Sequence, residues 1–371
     1  MSQTRMGVGG VSGARRIRGG RTRGHVRGCL LGGAVGDALG AAIEFKKLNE
    51  IREEFGPAGL RDYSVAYGRL GAITDDTQMA LFTAEALLRA EHCRVRRAKC
   101  DEVEVAWHAY LRWLVTQGEV VQRRGLPDED GWLVTLKGLH VRRAPGVTCT
   151  NGLKKGRMGT ATRPLNDSKG CGGVMRIAPA GFAPGQPFRL GCELAALTHG
   201  HPTGWLAAGY LAQLVHEVAE GSGIEEGALR ALDVLARQPC HEETSLAVER
   251  ALALSRESRG TAEDLEGLGQ GWVAEEALAI GLYSALMAEG FEHGVLLAVN
   301  HSGDSDTTGA IAGNLLGLAL GEHAIPPRWL ERLELRDVIE QVADDLHRHF
   351  GSRTVPCQGG QCGSWARYPP N

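Results

Sequence analysis

The chain has 371 residues, and its 41 basic and 44 acidic side chains leave a net charge of −3. This length can bury a large core in one or two domains, and the near balance of charge argues against nucleic acid or a membrane surface as a partner. The nine cysteines form no CxxC pair, which argues against a disulfide scaffold or a thiolate zinc site and favours a reducing compartment.

Residues 1–26 predict a disordered leader, because the first 27 residues contain seven arginines, many glycines and no acidic side chain. The apolar run Cys29–Val35 that follows is short, and Asp37 and Glu44 interrupt its continuation. It is therefore not interpreted as an export signal, and we expect a cytoplasmic protein. No run in the sequence approaches the length of a membrane span.

The small residues of Gly36–Gly40 predict close helix packing beside an acidic side chain. Glu44 lies seven residues after Asp37, nearly two helical turns, so the two carboxylates share a face if the segment is helical. Asp37 suits a structural hydrogen-bond acceptor. Glu44 is the candidate for a mobile carboxylate that approaches a reacting centre and transfers a proton.

The first acidic cluster is Thr74-Asp75-Asp76-Thr77, directly before an apolar stretch that predicts a helix over residues 78–90. Capping of that helix is one explanation, since acidic side chains favour the first helical turn. Two adjacent carboxylates are more than a cap requires. Oxygen ligands of this kind are typical of sites for hard divalent cations such as magnesium or manganese.

Residues 118–173 interrupt the helical periodicity with many glycine, proline and basic residues, and we expect part of this stretch to be a substrate-side loop. It leads into Gly170-Cys171-Gly172-Gly173-Val174-Met175-Arg176, where consecutive glycines allow backbone amides to approach an anion. A plain turn before a helix is the alternative for these residues. Further on, His199 and His201 lie between two apolar stretches, without a third ligand in a recognisable zinc frame.

Helical periodicity dominates the other parts of the chain. It predicts a helix that begins near Asp101 and further helices over residues 205–218, 275–287 and 329–350. Alternation of period two, which is typical of strands, is scarce. The sequence therefore predicts a mainly α-helical fold.

The second acidic cluster, Asp304-Ser305-Asp306-Thr307, also precedes an apolar stretch, and Asp304 or Asp306 could cap its helix. That helix is apolar nearly all round, which predicts burial, and buried carboxylates are costly unless they are paired or bound to metal. If the fold joins the two clusters, four carboxylates and two hydroxyls could hold a two-metal centre. One domain must then extend across residues 27–350, which leaves 351–371 as a predicted disordered tail.

Taken together, five segments resemble the ADP-ribosylglycohydrolases in the same order along the chain. They are Gly36–Phe45, Thr74–Thr77, Gly172–Arg176, Thr198–His199 and Gly303–Thr308. Four positions depart from the family pattern: Ala42 replaces proline, Ser302 glycine, Ser305 threonine and Cys171 asparagine. None of these departures removes a predicted ligand.

The resemblance implies an all-α orthogonal helical bundle with two magnesium or manganese ions in a central cleft. The metal ligands that it implies are Thr74, Asp75, Asp76, Asp304, Asp306 and Thr307. Glu44 and Asp304 are the expected catalytic residues, with Glu44 in contact with a metal or the reacting centre. The substrate-binding residues that it implies are Gly172, Gly173, Val174, Met175, Arg176 and His199, of which the first five match a loop that holds the diphosphate and proximal ribose.

The activity expected from the resemblance is removal of ADP-ribose from a modified protein side chain, arginine or serine, or from a related ADP-ribosyl compound. The bond that breaks is the glycosidic bond of the proximal ribose. A binuclear hydrolase of phosphoesters is one alternative, and it would release phosphate instead of ADP-ribose. The other alternative is a catalytically silent relative that binds ADP-ribose, or a structural protein like the lens crystallin of this family.

Overall fold

The computed structural model describes residues 21–97, 100–120, 130–351 and 363–370. Regular structure in these ranges is α-helical, with five short 3₁₀ turns and three isolated β-bridges but no β-sheet. The predicted all-α fold is therefore confirmed. Within the same ranges, no helix has both the length and the apolar character that a membrane crossing requires.

The part of the chain that the structure describes contains sixteen α-helices. They are α1 (Arg23–Gly40), α2 (Leu48–Phe55), α3 (Asp75–Arg97), α4 (Glu102–Thr116), α5 (Val147–Lys154), α6 (Pro187–Ala196), α7 (Pro202–Ala219), α8 (Ile224–Leu235), α9 (Glu242–Glu257), α10 (Ala262–Glu266), α11 (Ala274–Leu286), α12 (Phe291–Val299), α13 (Ser305–Leu320), α14 (Pro327–Arg332), α15 (Arg336–Phe350) and α16 (Ser364–Arg367). The 3₁₀ turns are Leu133–Thr135, Lys137–Leu139, Cys171–Gly173, Ala178–Phe182 and Glu322–Ala324.

Helices α1 and α13 are in contact along their backbones, because each presents a glycine to the other at every fourth position. The facing pairs are Gly28 with Gly317, Gly32 with Gly313, and Gly36 with Gly309. A Cβ atom added to Gly36 would lie 1.9 Å from the carbonyl oxygen of Gly309, so a larger residue requires a helix to move. The pairing is antiparallel, and it places the carboxyl end of α1, at Gly40, against the backbone of Asp306 at the amino end of α13.

Helix α3 is attached at the same point through Asp37, a fully buried side chain of α1. The carboxylate of Asp37 accepts hydrogen bonds from the backbone N–H of Thr74 at 3.0 Å and of Thr77 at 3.1 Å, and from the Thr77 hydroxyl. These bonds satisfy N–H groups that the first turn of a helix leaves unpaired. Asp37 is thus a structural acceptor, and one end each of α1, α3 and α13 meet in one place.

Several predicted helices differ from the observed ones at their ends. The helix predicted from residue 78 already begins at Asp75, so both carboxylates of the first cluster belong to α3. The helix predicted over 329–350 is divided into α14 and α15 by a turn in which Leu335 has a φ of +53°. The predicted loop over 118–173 contains α5 and three 3₁₀ turns in its described part.

The amino-terminal domain boundary lies earlier than the sequence predicts. Helix α1 begins at Arg23, and Arg23 and Arg27 both form paired hydrogen bonds of 2.6–2.8 Å to Asp344 of α15. The predicted disorder is therefore wrong for residues 21–26, because ion pairs with a distant helix order a stretch whose local composition is that of a coil. The rest of the predicted leader, residues 1–20, lies outside the described residues.

The predicted disordered tail is also ordered in part. Residues 363–370 include α16, and the ring of Trp365 stacks on His92 of α3 with centroids 4.4 Å apart. Tyr368 is fully buried, so the prediction is wrong for this segment. Residues 352–362 and 371 lie outside the described residues.

Candidate metal centre

The carboxylates of Glu44, Asp304 and Asp306 form the centre of the candidate site, since one oxygen of each lies within 4.8 Å of the other two. Glu44 reaches this point from the turn after α1, whereas Asp304 is the N-cap of α13 and Asp306 lies in its first turn. Asp75 and Asp76 occupy the first turn of α3, which is attached to the same point. The fold therefore joins the two acidic clusters of the sequence.

The two threonines predicted as ligands lie beside these carboxylates. Thr74 directly precedes α3, is fully buried, and accepts a hydrogen bond on its hydroxyl from the N–H of Asp76 at 3.3 Å. Thr307 lies in the first turn of α13 and is 1% exposed. All six predicted metal ligands are thus placed at the amino ends of α3 and α13.

Burial makes this cluster unfavourable unless a cation neutralises it. Asp75, Asp76, Asp304 and Asp306 are each at most 4% exposed. Among the described residues, Oδ1 of Asp76 and Oε2 of Glu44 have no hydrogen-bond partner. Because buried polar atoms are almost always partnered, these two oxygens indicate where a ligand atom or ion belongs. Carboxylate and hydroxyl oxygens are the ligands that Mg²⁺ and Mn²⁺ prefer, so the residues present fit such a cation.

The electrostatics of the site agree with this interpretation. Burial, together with the charges of Asp306, Asp304 and Asp75, raises the pKa of Glu44 to about 11. Burial also raises the pKa of Asp75, Asp76 and Asp304 well above the ordinary carboxyl value, and for all three the charge of Asp306 raises it too. The two clusters therefore lie within electrostatic range of each other, and a bound cation would favour the ionised forms.

Hydrogen bonds fix the orientation of these carboxylates. Asp304 caps α13 by accepting a bond from the N–H of Thr307 at 3.3 Å, and Asp306 accepts one from the same N–H at 2.9 Å. Asp75 accepts a bond from the N–H of Gly146 at 3.0 Å, which holds the residue before α5 against the site. Each bond uses one carboxylate oxygen, so capping and metal binding are compatible.

The predicted anion-binding segment lies along the same cluster. In the 3₁₀ turn Cys171–Gly173, the N–H of Cys171 donates to the carbonyl oxygen of Trp272 at 3.1 Å, and its thiol donates to Oδ2 of Asp304 at 2.8 Å. A Cβ atom on Gly172 would lie 2.6 Å from Sγ of Cys149 and 3.1 Å from Cε1 of His199. His199 therefore lies against this turn, at a position that only glycine allows.

Arg176, predicted to bind substrate, lies behind this turn. It is fully buried, and its guanidinium donates to the hydroxyl of Thr198 at 2.8 Å, which in turn lies 2.9 Å from Nδ1 of His199. Burial and the charge of Arg176 lower the pKa of His199 to about 3, which keeps the ring neutral. Arg176 thus orients Thr198 and His199 from behind, while Val174 and Met175 are core residues.

Two aromatic residues to which the sequence assigns no role lie beside the acidic cluster. Phe45, next to Glu44, stacks on Trp272 with ring centroids 5.3 Å apart and an interplanar angle of 18°. Burial and the charge of Glu44 raise the pKa of Tyr67, which places this ring near the same carboxylate. Phe45 ends the segment Gly36–Phe45, but its contact with Trp272, like the position of Tyr67, depends on segments far apart in the chain.

The sequence and the fold have counterparts among known proteins. The sequence model of the ADP-ribosylglycohydrolase family matches residues 19–355. The ADP-ribosyl-[dinitrogen reductase] glycohydrolase of Rhodospirillum rubrum is 28% identical over 328 residues, which cover 85% of this chain and 93% of the relative. The ADP-ribosylarginine hydrolase Tri1 of Pseudomonas putida (strain GB-1) is 25% identical, with 87% of this chain and 77% of the relative covered.

A solved structure described as an ADP-ribosylglycohydrolase-related protein complex shares the fold, with a TM-score of 0.61 and 29% identity. The match covers 88% of this chain and 98% of that one. Because the family model matches most of the sequence, this chain belongs to the ADP-ribosylglycohydrolase family. The expected enzyme class, a glycohydrolase, is confirmed with it.

Proposed function

We propose that this protein removes ADP-ribose from modified arginine or serine side chains, or from related ADP-ribosyl compounds, with the help of two Mg²⁺ or Mn²⁺ ions. The observation that supports the proposal most strongly is the pair of buried, unpartnered oxygens, on Asp76 and Glu44, where helix ends meet. The names of the relatives from R. rubrum and P. putida agree with an ADP-ribosyl substrate.

The metal ligands in this proposal are the residues at the amino ends of α3 and α13. They are Thr74, Asp75, Asp76, Asp304, Asp306 and Thr307. When bound, the ions would hold ribose hydroxyls and lower the pKa of a water molecule. The chain's own contribution is to fix the ligand oxygens through the capping bonds and to exclude solvent by burial.

Glu44 and Asp304 have separate roles in the proposed reaction. Glu44 lies outside regular helix and its Oε2 has no hydrogen-bond partner, and burial with the charges of the neighbouring carboxylates raises its pKa to about 11, which favours the protonated form. As the glycosidic bond breaks, this carboxyl is placed to transfer a proton to or from the reacting groups. Asp304, which accepts hydrogen bonds from the Thr307 N–H and the Cys171 thiol, would act as a metal-linked carboxylate at the reacting centre.

The turn Cys171–Gly173 and His199 would bind the diphosphate and proximal ribose. The glycines permit close approach of the backbone to phosphate oxygens, and a neutral His199 can donate or accept a hydrogen bond without adding charge. Arg176 supports this surface indirectly, through Thr198.

The proposal is tested by incubating the protein with peptides that are ADP-ribosylated on arginine or on serine, with Mg²⁺, Mn²⁺ or a chelator. We expect cation-dependent release of ADP-ribose, measured by mass spectrometry. Release of phosphate would favour the phosphoester alternative, and binding without turnover would favour a silent relative.

Asp304→Asn should abolish release while the circular dichroism spectrum is retained. The matched control is Asp101→Asn, because Asp101 also caps a helix, α4, with bonds of 3.0 Å and 3.1 Å to its first turn, far from the acidic cluster in sequence. If Asp304→Asn hydrolyses the peptides as well as the wild type with cation present, the assignment of the site is wrong.

A further inference from the structure

Two imidazole nitrogens and one hydroxyl oxygen converge where the carboxyl-terminal segment packs on the helical bundle. Nε2 of His92, on α3, lies 3.3 Å from Nε2 of His349, on α15. Oγ of Ser364, at the start of α16, lies 3.1 Å from Nε2 of His349 and 3.4 Å from Nε2 of His92. We refer to these three residues as the histidine triangle. It joins three helices that are far apart in the chain.

The histidine triangle is separate from the acidic cluster. His92 lies seventeen residues after Asp75 on α3, or about 25 Å along its axis. The ring of Trp365 stacks on His92, with an interplanar angle of 10°, and thereby restricts the imidazole. The proposed hydrolysis assigns no role to these side chains, so the triangle needs an explanation of its own.

Hydrogen bonds cannot account for all three contacts. Nδ1 of His92 lies 2.7 Å from the carbonyl oxygen of Tyr368, which can only accept, so Nδ1 carries a proton. Burial lowers the pKa of His92 and, together with the charge of His92, lowers that of His349 to about 4, so both rings are neutral near pH 7. Nε2 of His92 then has a lone pair but no proton. At most two protons, from His349 and Ser364, are available for three contacts.

The triangle has the dimensions of one face of a tetrahedral metal site. Zn²⁺ binds imidazole nitrogen at about 2.0–2.1 Å, and ligand atoms at that distance from a tetrahedral centre lie about 3.3 Å apart. The observed separations of 3.1–3.4 Å agree with this value. The contact of Nδ1 of His92 with a backbone carbonyl is also typical of histidines that bind metal, since it fixes the tautomer and directs the lone pair of Nε2 toward the ion.

We propose that His92, His349 and Ser364 bind one Zn²⁺ ion, with a water molecule as the fourth ligand. Imidazole nitrogen favours Zn²⁺, whereas Mg²⁺ requires oxygen ligands, so the triangle and the acidic cluster select different cations. His92 and Ser364 are at most 1% exposed and His349 is half-buried, so His349 is the ligand that an ion from solvent reaches first. The bound ion fastens α16 to α3 and α15.

The test is a Zn²⁺ titration of the full chain by isothermal calorimetry, with Mg²⁺ present throughout. We expect a Zn²⁺ site that Asp304→Asn leaves intact and that His349→Gln weakens by about a hundredfold or more, since loss of an outer partner alone typically costs about 10–100-fold. The matched control is His347→Gln, because His347 is also half-buried and lies two residues earlier on the same helix. It should bind Zn²⁺ as the wild type does.

A second variant, His349→Cys, tests whether the side chain at this position contacts the metal. Thiolate is also a zinc ligand, so this variant should retain metal binding. With Co²⁺ in place of Zn²⁺, it should gain a sulfur-to-cobalt charge-transfer band in the near ultraviolet relative to the wild type. A residue with only a packing role would not produce this gain. Circular dichroism checks that each variant is folded.

The zinc proposal is overturned if His349→Gln binds Zn²⁺ as tightly as the wild type, or if His347→Gln loses as much affinity. It is also overturned if Asp304→Asn loses the same binding, which would place the ion in the acidic cluster. Absence of any gain in near-ultraviolet absorption by the Co²⁺ form of His349→Cys counts against it equally. None of these measurements depends on hydrolysis, so failure of the proposed function leaves the test of the zinc site unaffected.

Discussion

At the scale of one residue, Asp76 gives the most direct support for the proposal that a cation binds at this site. It is 3% exposed, one oxygen has no partner among the described residues, and burial with the charge of Asp306 raises its pKa. Asp76→Asn removes a carboxyl whose ionised form is unfavourable in the cation-free site, so we expect a higher Tm in chelator. Addition of Mg²⁺ should stabilise the wild type by about 2.7 kcal/mol at a hundred times Kd, but the variant far less.

Differential scanning fluorimetry over a Mg²⁺ titration measures both effects on Asp76→Asn. Exposed Asp233, on α8, provides the control, because Asp233→Asn should leave the magnesium-dependent gain in Tm intact. If Asp76→Asn shows the same magnesium-dependent gain in Tm as the wild type, the carboxylate of Asp76 is not a metal ligand.

Glu44 differs from the carboxylates of the two acidic clusters because it lies in the turn after α1, outside regular helix. Glu44→Gln retains the size of the side chain but cannot transfer a proton, so kcat should fall by about 10²–10⁴. Most of the magnesium-dependent gain in Tm should persist, since the six proposed ligands remain. Steady-state hydrolysis of a modified peptide and thermal denaturation measure the two quantities, with Glu53→Gln on the exposed side of α2 as control. If Glu44→Gln loses the magnesium-dependent gain in Tm as well as kcat, Glu44 acts mainly as a metal ligand.

At the scale of elements, the position of the site depends on the contact between α1 and α13. A Cβ atom on Gly32 would lie 2.3 Å from the carbonyl oxygen of Gly313, whereas one on Gly24 of the same helix meets nothing within 4 Å. Gly32→Ala should therefore destabilise the protein by about 1–3 kcal/mol or more through overpacking. It should also weaken magnesium binding, because Glu44 and Asp306 move apart with the helices.

Gly24→Ala is the matched control for the helix contact, and it should be neutral or stabilise by about 0.5–1 kcal/mol through helix propensity. Urea denaturation with and without Mg²⁺ measures both variants. If Gly32→Ala is as stable as Gly24→Ala, the backbone contact does not determine the spacing of the helices.

At the scale of the whole molecule, the sequence predicted which residue types form the site better than it predicted where the fold places each residue. Both acidic clusters were recognisable because their carboxylates exceed what a cap requires, and the glycines of α1 predicted close packing. The glycines of α13 recur at the same spacing, but only the structure shows that they face those of α1. The substrate-binding role predicted for Arg176 follows from the resemblance of Gly172–Arg176 to a family loop, whereas its burial against Thr198 is a tertiary property.

The carboxyl-terminal segment is a second feature that only the whole molecule explains. Nδ1 of His92 lies 2.7 Å from the carbonyl oxygen of Tyr368, and its Nε2 lies 3.3 Å from Nε2 of His349 on α15. Burial, with the charge of His92, lowers the pKa of His349 to about 4, and burial lowers the pKa of His92. Glu91 and Asp345 oppose these shifts without cancelling them.

Since both histidines have a lower pKa when folded, the unfolded chain binds protons more readily than the native state. Their contribution to stability is therefore complete above about pH 6.5 and is lost as the pH falls toward 4. His349→Gln removes one of the titrating rings, so its Tm should depend less on pH in this range. Because His349 is only partly buried, we expect a difference of about 1 kcal/mol or less, or about 2 °C. Thermal denaturation at intervals between pH 7.5 and 4 measures it, with exposed His140→Gln as control, and parallel profiles would show that the histidine pair does not couple pH to stability.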